Sequence, residues 1–342
     1  MPADAAKTSP AVTDPAGAPV VSVVVLSYNY GRFLRDCLDS ILRQDGGIPL
    51  EVIVVDDAST DDSAAIAASY GPPVRLIRHA ANQGHAATVT DGLRAARGAY
   101  VARIDCDDRY HPEFLRRTVP CFTRHPSVGL VYGDAAIINE DGAVTSARDD
   151  IRHGGRAFVG DEYPALLERN FICAPTVIAR REAWLAALPI PPHLVFHDWY
   201  FTLLIARRYD LCYLPELLAD YRVHPANYHA RITREKTEET SIRWLLDHCF
   251  SMPERTPAQE ARKRAVRHRV YGTQALSLAD KYFGCRLWRD ARRCYFTACR
   301  HRPGLLLRAA VLRRLFGTVM GPQTYAWSKA AARLLRRPAQ AA

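Results

Sequence analysis

The chain reads as an α/β protein with a central, mostly parallel sheet, followed by an all-helical C-terminal part. From Val20 to Ile104, short apolar runs rich in β-branched residues alternate with helix-period segments, the signature of βαβ units. From Thr240 onward strand signals disappear and apolar residues recur at helical spacing. At 342 residues with 48% hydrophobic content, the chain can bury one large core or two smaller ones. The expected organisation is a disordered tail over 1–19, an α/β domain over 20–229 and a basic helical domain over 230–342.

Val20 to Leu26 is nearly continuous in apolar residues, as a strand buried on both faces requires. After Ser27-Tyr28-Asn29, the residues Phe33, Leu34, Cys37, Leu38, Ile41 and Leu42 recur at helical spacing. The unit repeats with Glu51 to Val55 as strand, Asp56 to Thr60 as loop and Asp61 to Tyr70 as a helix stopped by Gly71-Pro72-Pro73. Val74 to Ile77 makes a third strand, His85 to Ala96 a third helix, and Ala99 to Ile104 a fourth strand that ends in Asp105-Cys106-Asp107-Asp108.

Carboxylates packed this closely repel one another unless a cation neutralises them, and a hard divalent ion on one or two carboxylates typically also binds substrate phosphates. The cluster therefore reads as a metal-bridged diphosphate site, with a solvated acidic turn as the plain alternative. In open α/β sheets, ligands bind outside the carboxyl ends of the strands. Tyr28, Asp57 and the acidic cluster would then meet at one sheet edge.

Nine cysteines stand without a CxxC pair or regular framework, so they read as reduced thiols of a cytoplasmic protein, with no disulfide or structural zinc. The first nineteen residues lack the basic start and apolar core of a secretory signal, and no apolar run is long enough to span a bilayer. Charge is uneven. Residues 230–342 hold 24 Lys+Arg against 8 Asp+Glu, a net of +16, so the formal +10 of the whole chain belongs to its C-terminal third.

Val21 to Asn29, then Val54 to Asp61, then Asn82-Gln83-Gly84, then Asp105-Cys106-Asp107-Asp108 followed by Pro112, resemble in order and spacing the family 2 glycosyltransferases of GT-A fold. Val131-Tyr132-Gly133-Asp134, His197-Asp198-Trp199 and Tyr221-Arg222-Val223-His224 extend the resemblance. It implies an inverting transferase that uses a nucleoside-diphosphate sugar, a UDP-sugar by preference, with Mn²⁺ or Mg²⁺. In that frame Ser27, Tyr28, Asp57, Asn82 and Asp105 belong to the nucleotide site. Tyr28 would stack on the base and Asp57 would accept from its edge. Asp107 would ligate the metal directly, Asp105 would face the ribose or a metal-bound water, and Asp108 would order the following turn.

The resemblance also implies that Asp198 is the catalytic base, since a sugar hydroxyl attacks only as its proton is accepted. A helix N-cap is the structural alternative for Asp198. Relatives generally carry Glu-Asp where this chain has His197-Asp198, so His197 is left to orient Asp198, tune it or touch the acceptor. His224 falls where relatives place a residue that touches the metal or the diphosphate; a surface-loop histidine is its plain alternative. Thr88-Val89-Thr90 stands where the family often has Ala-Arg-Asn, and Arg94, Arg97 and Arg103 are the candidates to replace the missing arginine.

Leu278, Ala279, Tyr282, Ala291, Tyr295, Ala298 and Pro303 fit one tetratricopeptide-like hairpin, which would pack on the α/β domain or on a second subunit of a homo-oligomer. Leu305 to Phe316 and Ala330 to Arg337 are basic and amphipathic. Such helices can lie on an anionic membrane, as a peripheral enzyme at the inner face with a lipid-linked or glycan acceptor would need. A core-facing stripe with a solvated basic face is the favoured reading, since any packed helix shows one. Nucleic acid is not an expected partner, because no aromatic-interleaved basic motif accompanies the charge. A sugar-1-phosphate nucleotidyltransferase lacks its Gly-rich signature here, and a noncatalytic nucleotide-sugar or glycan binder is the other alternative.

Overall fold

A computed structural model of the protein describes residues 19–148, 153–224, 236–254 and 256–321. The tail expected over 1–19 and the helix expected over Ala330 to Arg337 lie outside the described residues, Pro19 excepted, as does the boundary expected at 229/230. The chain forms two compact units.

In the first unit the N-terminal βαβ units come out as the apolar periodicity requires. Strands β1 (Val21–Ser27), β2 (Leu50–Asp56), β3 (Val74–Arg78) and β4 (Tyr100–Asp105) lie parallel in the order β3-β2-β1-β4. Every residue of β1 is buried, which is why its sequence shows no polar alternation. Helices α1 (Gly31–Leu42), α2 (Ser63–Ser69) and α3 (His85–Ala95) link them. The close approach of α3 to the sheet depends on Gly92, where an added Cβ would stand 2.3 Å from Val24 Cγ1.

Beyond β4 the sheet turns mixed. After β5 (Arg109–Tyr110), α4 (Phe114–Arg124) leads to the long β6 (Val128–Ile138), then to β7 (Val144–Arg148) and β8 (Phe158–Gly160). β9 (Ile178–Arg180) inserts antiparallel between β4 and β6, and β10 (Asp210–Arg222) runs parallel to β6. Helices α6 (Arg181–Leu185) and α7 (His197–Ala206) lie between those last two strands in sequence. None of these later strands was delimited in the sequence reading, because β9 is three residues long and β10 is broken by Pro215 and by register shifts.

A buried polar network fastens the lower end of the sheet. Ser22 Oγ donates to Glu51 Oε1 at 2.7 Å, the same oxygen accepts from Arg97 N–H at 2.8 Å, and Arg97 Nε reaches Oε2 at 3.1 Å.

The second unit takes α5 (Tyr163–Glu168) from its second residue and the helices α8 (Thr237–Ser251), α9 (Pro257–Gly284), α10 (Trp288–His301) and α11 (Ala309–Met320). Helices α9 and α10 form the expected hairpin, turning through Arg286 at φ 62°, with Ala279, Tyr282, Ala291, Tyr295 and Ala298 buried along their seam. Thr256 caps α9, its Oγ1 accepting from Gln259 N–H at 3.2 Å. The ammonium of Lys263, 2% exposed, closes the end of α8 by reaching the Met252 carbonyl and Glu254 at 2.9 Å. No helix among the described residues is long and apolar enough to cross a membrane.

Candidate active site

At the carboxyl ends of the strands, Ser27 of β1 pairs with Asp56 of β2 and the preceding Leu26 pairs with Asp105 of β4, so the three strands deliver these residues to one edge within a residue of register. Ser27 is buried and its carbonyl accepts the Asp57 N–H at 2.9 Å. Tyr28, the next residue, stands 46% exposed at the rim. Asn29 turns the chain at φ 56°, and its Oδ1 accepts from Thr60 N–H at 2.8 Å, bracing the β1 loop on the β2 loop.

Asp57 is buried and heavily used. Its Oδ1 accepts from Gln83 N–H at 2.7 Å and lies 2.7 Å from His79 Nδ1, and its Oδ2 accepts from Gly84 N–H at 2.8 Å. Gly84 serves this contact at φ 86°, a conformation favouring glycine. Of the roughly four acceptor positions of a carboxylate, three are thus taken. Asn82 stays exposed beside them. Asp56 holds its own loop, accepting from Ser59 N–H at 3.2 Å.

The acidic cluster divides. Asp105 is half-buried and turns toward His85, whose Nε2 lies 3.5 Å from its Oδ1. Burial works against its charge, but the Arg103 guanidinium, the His85 contact and His197 together hold its carboxyl well below the usual carboxylate range. Arg103 is 5% exposed, and its Nη1 has no hydrogen-bond partner among the described residues. Arg97 is engaged with Glu51, so of the named candidates Arg103 is the cation that bears on the cluster.

Asp107 is 6% exposed and faces His224, with Nε2 3.1 Å from Oδ2. Burial first, then the neighbouring Asp105 charge, push the Asp107 carboxyl up to about 6. Asp108 accepts the Arg222 N–H at 2.8 Å, and burial with the Asp107 and Asp105 charges raises it well above the ordinary range. The Arg222 side chain, 1% exposed, donates to the carbonyls of Asp107 at 2.7 Å and Glu140 at 2.8 Å and lies over the Phe33 ring. The His224 ring sits edge-on to Tyr30 with centroids 5.0 Å apart. His224 is therefore a buried neighbour of the cluster and not a surface-loop histidine.

Asp105, Asp107 and His224 do not close into one cage, since Asp105 is drawn to His85 while Asp107 meets His224. No group of three or more His, Cys, Asp and Glu side chains suited to a metal occurs among the described residues. A carboxylate whose charge is opposed first by burial and then by the neighbouring Asp105 nonetheless fits a hard divalent cation whose remaining positions are filled by phosphates and water.

Asp198 lies in the first turn of α7, where the helix dipole favours a carboxylate. Its neighbour His197 is buried and stacks on His85, with Nδ1 to Nδ1 at 2.7 Å and centroids 4.8 Å apart. Asp105, His85 and His197 form a chain of contacts that ties the cluster to the start of α7. Sequence reasoning passed over His85, Arg222 and His79 as site residues. His85 could have been suspected as a histidine opening a helix just after Asn82-Gln83-Gly84.

Residues 22–184 match the family described as Glycosyl transferase family 2. An uncharacterized protein of Mycobacterium tuberculosis (strain H37Rv) is 35% identical over 227 residues, 64% of this chain and 64% of that protein. The chain thus spans about two thirds of that curated relative's length. Among solved structures, Staphylococcus aureus TarS 1-349 in complex with UDP-GlcNAc aligns with a TM-score of 0.56 at 18% identity, over 87% of this chain and 79% of that one. The mannosyltransferase PcManGT of Pyrobaculum calidifontis, in complex with GDP-Man and Mn²⁺, aligns with a TM-score of 0.56 at 21% identity, over 95% and 90% of the two chains. At these identities the likeness is one of fold. The chain belongs to glycosyltransferase family 2, and its α/β unit has the GT-A fold.

Proposed function

We propose that the protein is an inverting glycosyltransferase that moves a sugar from a nucleoside-diphosphate sugar, UDP-sugars first among them, to a hydroxyl of a glycan or other acceptor. The observation that carries this reading is the meeting of Asp57, Asp105 and Asp107 at one sheet edge, with His224 on Asp107. The exposed Tyr28 ring offers a face on which the base stacks. Asp57 holds the Gln83 and Gly84 N–H groups, and of its roughly four acceptor positions one is left for a further donor, such as an imide N–H. Asp105, held anionic, serves the ribose side.

Asp107, with His224 beside it, would hold a Mg²⁺ or Mn²⁺ ion. Such an ion supplies Lewis-acid neutralisation of the charge on a departing diphosphate. Asp198 accepts the acceptor's proton as its hydroxyl attacks the anomeric carbon, and His197 and His85 keep the start of α7 against Asp105.

Nucleotide release and sugar transfer, followed over UDP- and GDP-sugars with Mn²⁺, Mg²⁺ or chelator, test this. Asp107→Ala is expected to lose metal-dependent turnover by about a hundredfold or more, as loss of a charge-stabilising group does. For Asp198→Asn, the donor still raises the melting temperature while transfer falls about 10²- to 10⁴-fold, the usual worth of a general base. Metal-independent transfer undiminished by Asp107→Ala, or near-normal turnover of Asp198→Asn, removes the corresponding role.

A further inference from the structure

The helix α11 turns its apolar residues the wrong way for a core. Leu312, Phe316, Val319 and Met320 recur at i, i+4, i+7 and i+8, the spacing of one helical stripe, and they are 45%, 49%, 60% and 55% exposed. Only Val311, Gly317 and Thr318 of that helix are buried. The turn leading into it exposes Leu306 at 46% and Leu307 at 89%. Of the run Leu305 to Phe316 favoured as core-facing from the sequence, Leu305 and Val311 are buried, while Leu306, Leu307, Leu312 and Phe316 are exposed. Isolated exposed leucines need no explanation, but a contiguous row of large apolar side chains marks an interaction surface.

The same unit also carries a basic exposed face. On α10, Arg289, Arg292, Phe296 and Arg300 occupy one exposed face, and those three arginines make no ion pair among the described residues. From Ala291 to Ala342 the sequence holds eleven Lys+Arg and no Asp or Glu. A second copy of this unit would bring the same positive surface against itself. Nucleic acid would answer the arginines but not Leu307, Leu312 and Phe316. An anionic lipid surface answers both, since its headgroups attract arginine and its acyl boundary accepts an apolar stripe.

We propose that the apolar stripe of α11 and the Leu306-Leu307 turn, together with the arginines of α10, dock the protein on anionic membranes, the helix lying in the plane of the interface. The proposal does not rest on the reading of the donor site.

Co-sedimentation of the full chain with vesicles of phosphatidylcholine alone, or mixed with phosphatidylglycerol, tests it. The chain is expected to bind the anionic vesicles and not the neutral ones, and to be released by salt. The paired substitution Leu312→Glu and Phe316→Glu, and separately the set Arg289→Glu, Arg292→Glu and Arg300→Glu, are each expected to weaken binding about tenfold or more. All these side chains are outside the core, so melting temperature and its rise with nucleotide sugar should stay as in the parent protein, which separates failure of docking from failure of the donor site. Absence of vesicle binding, equal binding to neutral vesicles, or undiminished binding of either variant overturns the proposal. So does a dimer in light scattering that Leu312→Glu dissolves while no vesicle is bound, since a second copy would then be the occupant.

Discussion

His85 shows how one side chain can join two parts of the site. It meets the Asp105 carboxylate on one side and His197 on the other, so it links the end of β4 to the turn that carries Asp198. At 3.5 Å and between partly exposed groups, the His85–Asp105 contact is of the kind worth about 1 kcal/mol. His85→Ala is accordingly expected to lower kcat/KM about fivefold, and His85→Gln, whose amide reaches the position of Nε2 and can still donate to Asp105, to recover part of it. Unchanged kinetics in His85→Ala would make the contact incidental. Asp105 and Asp107 stood out in the sequence because closely packed carboxylates at the end of a strand carry chemistry directly, whereas Asp198 was singled out only through the family resemblance. His85 and Arg222 were not, because their significance lies in partners 20 to 115 residues away, such as Asp105 and the Asp107 carbonyl.

Among elements, β1, β2 and α3–β4 are locked together by Glu51. Its carboxyl is depressed below the ordinary value of 4.5 even though burial alone would raise it, because Ser22 and the Arg97 N–H and guanidinium favour the charged form. A depressed carboxyl stabilises the fold above its unfolded value, and that contribution fades as pH falls toward the folded one. Glu51→Gln is expected to cost about 1–3 kcal/mol near neutrality, since it leaves buried donors without a charged acceptor. In urea titrations the gap between parent and variant should narrow as pH drops below 4.5; a gap independent of pH would show that packing, not charge, is responsible. The parallel strands β1 to β4 were legible because strands buried on both faces are continuous apolar runs. Strands β9 and β10 were not, since a three-residue strand carries no periodicity and Pro215 interrupts the other.

For the molecule as a whole, all nine cysteines are free thiols and Cys285, in the α9–α10 turn, is the exposed one. A thiol-reactive probe should therefore modify one equivalent rapidly in the native protein and the other eight only on unfolding. Rapid reaction of several would mean that the core opens more readily than its packing indicates. A two-part organisation was expected from composition because the charge and the strand signals change together along the chain. The exposure of the α11 stripe was not, since an apolar row looks the same in sequence whether a core or a membrane faces it.

Arg222 and His224 reach the acidic cluster from the far end of β10, 114 to 117 residues downstream of the aspartates they meet. Closing so long a loop delays the contact relative to the local βαβ pairings. A chain still emerging from the ribosome, with β1 to β4 already folded, would hold Asp107 and Asp108 without their strand partner. The acidic cluster thus gains its last neighbours late, and a product truncated before residue 222 would carry Asp107 and Asp108 without Arg222 and His224.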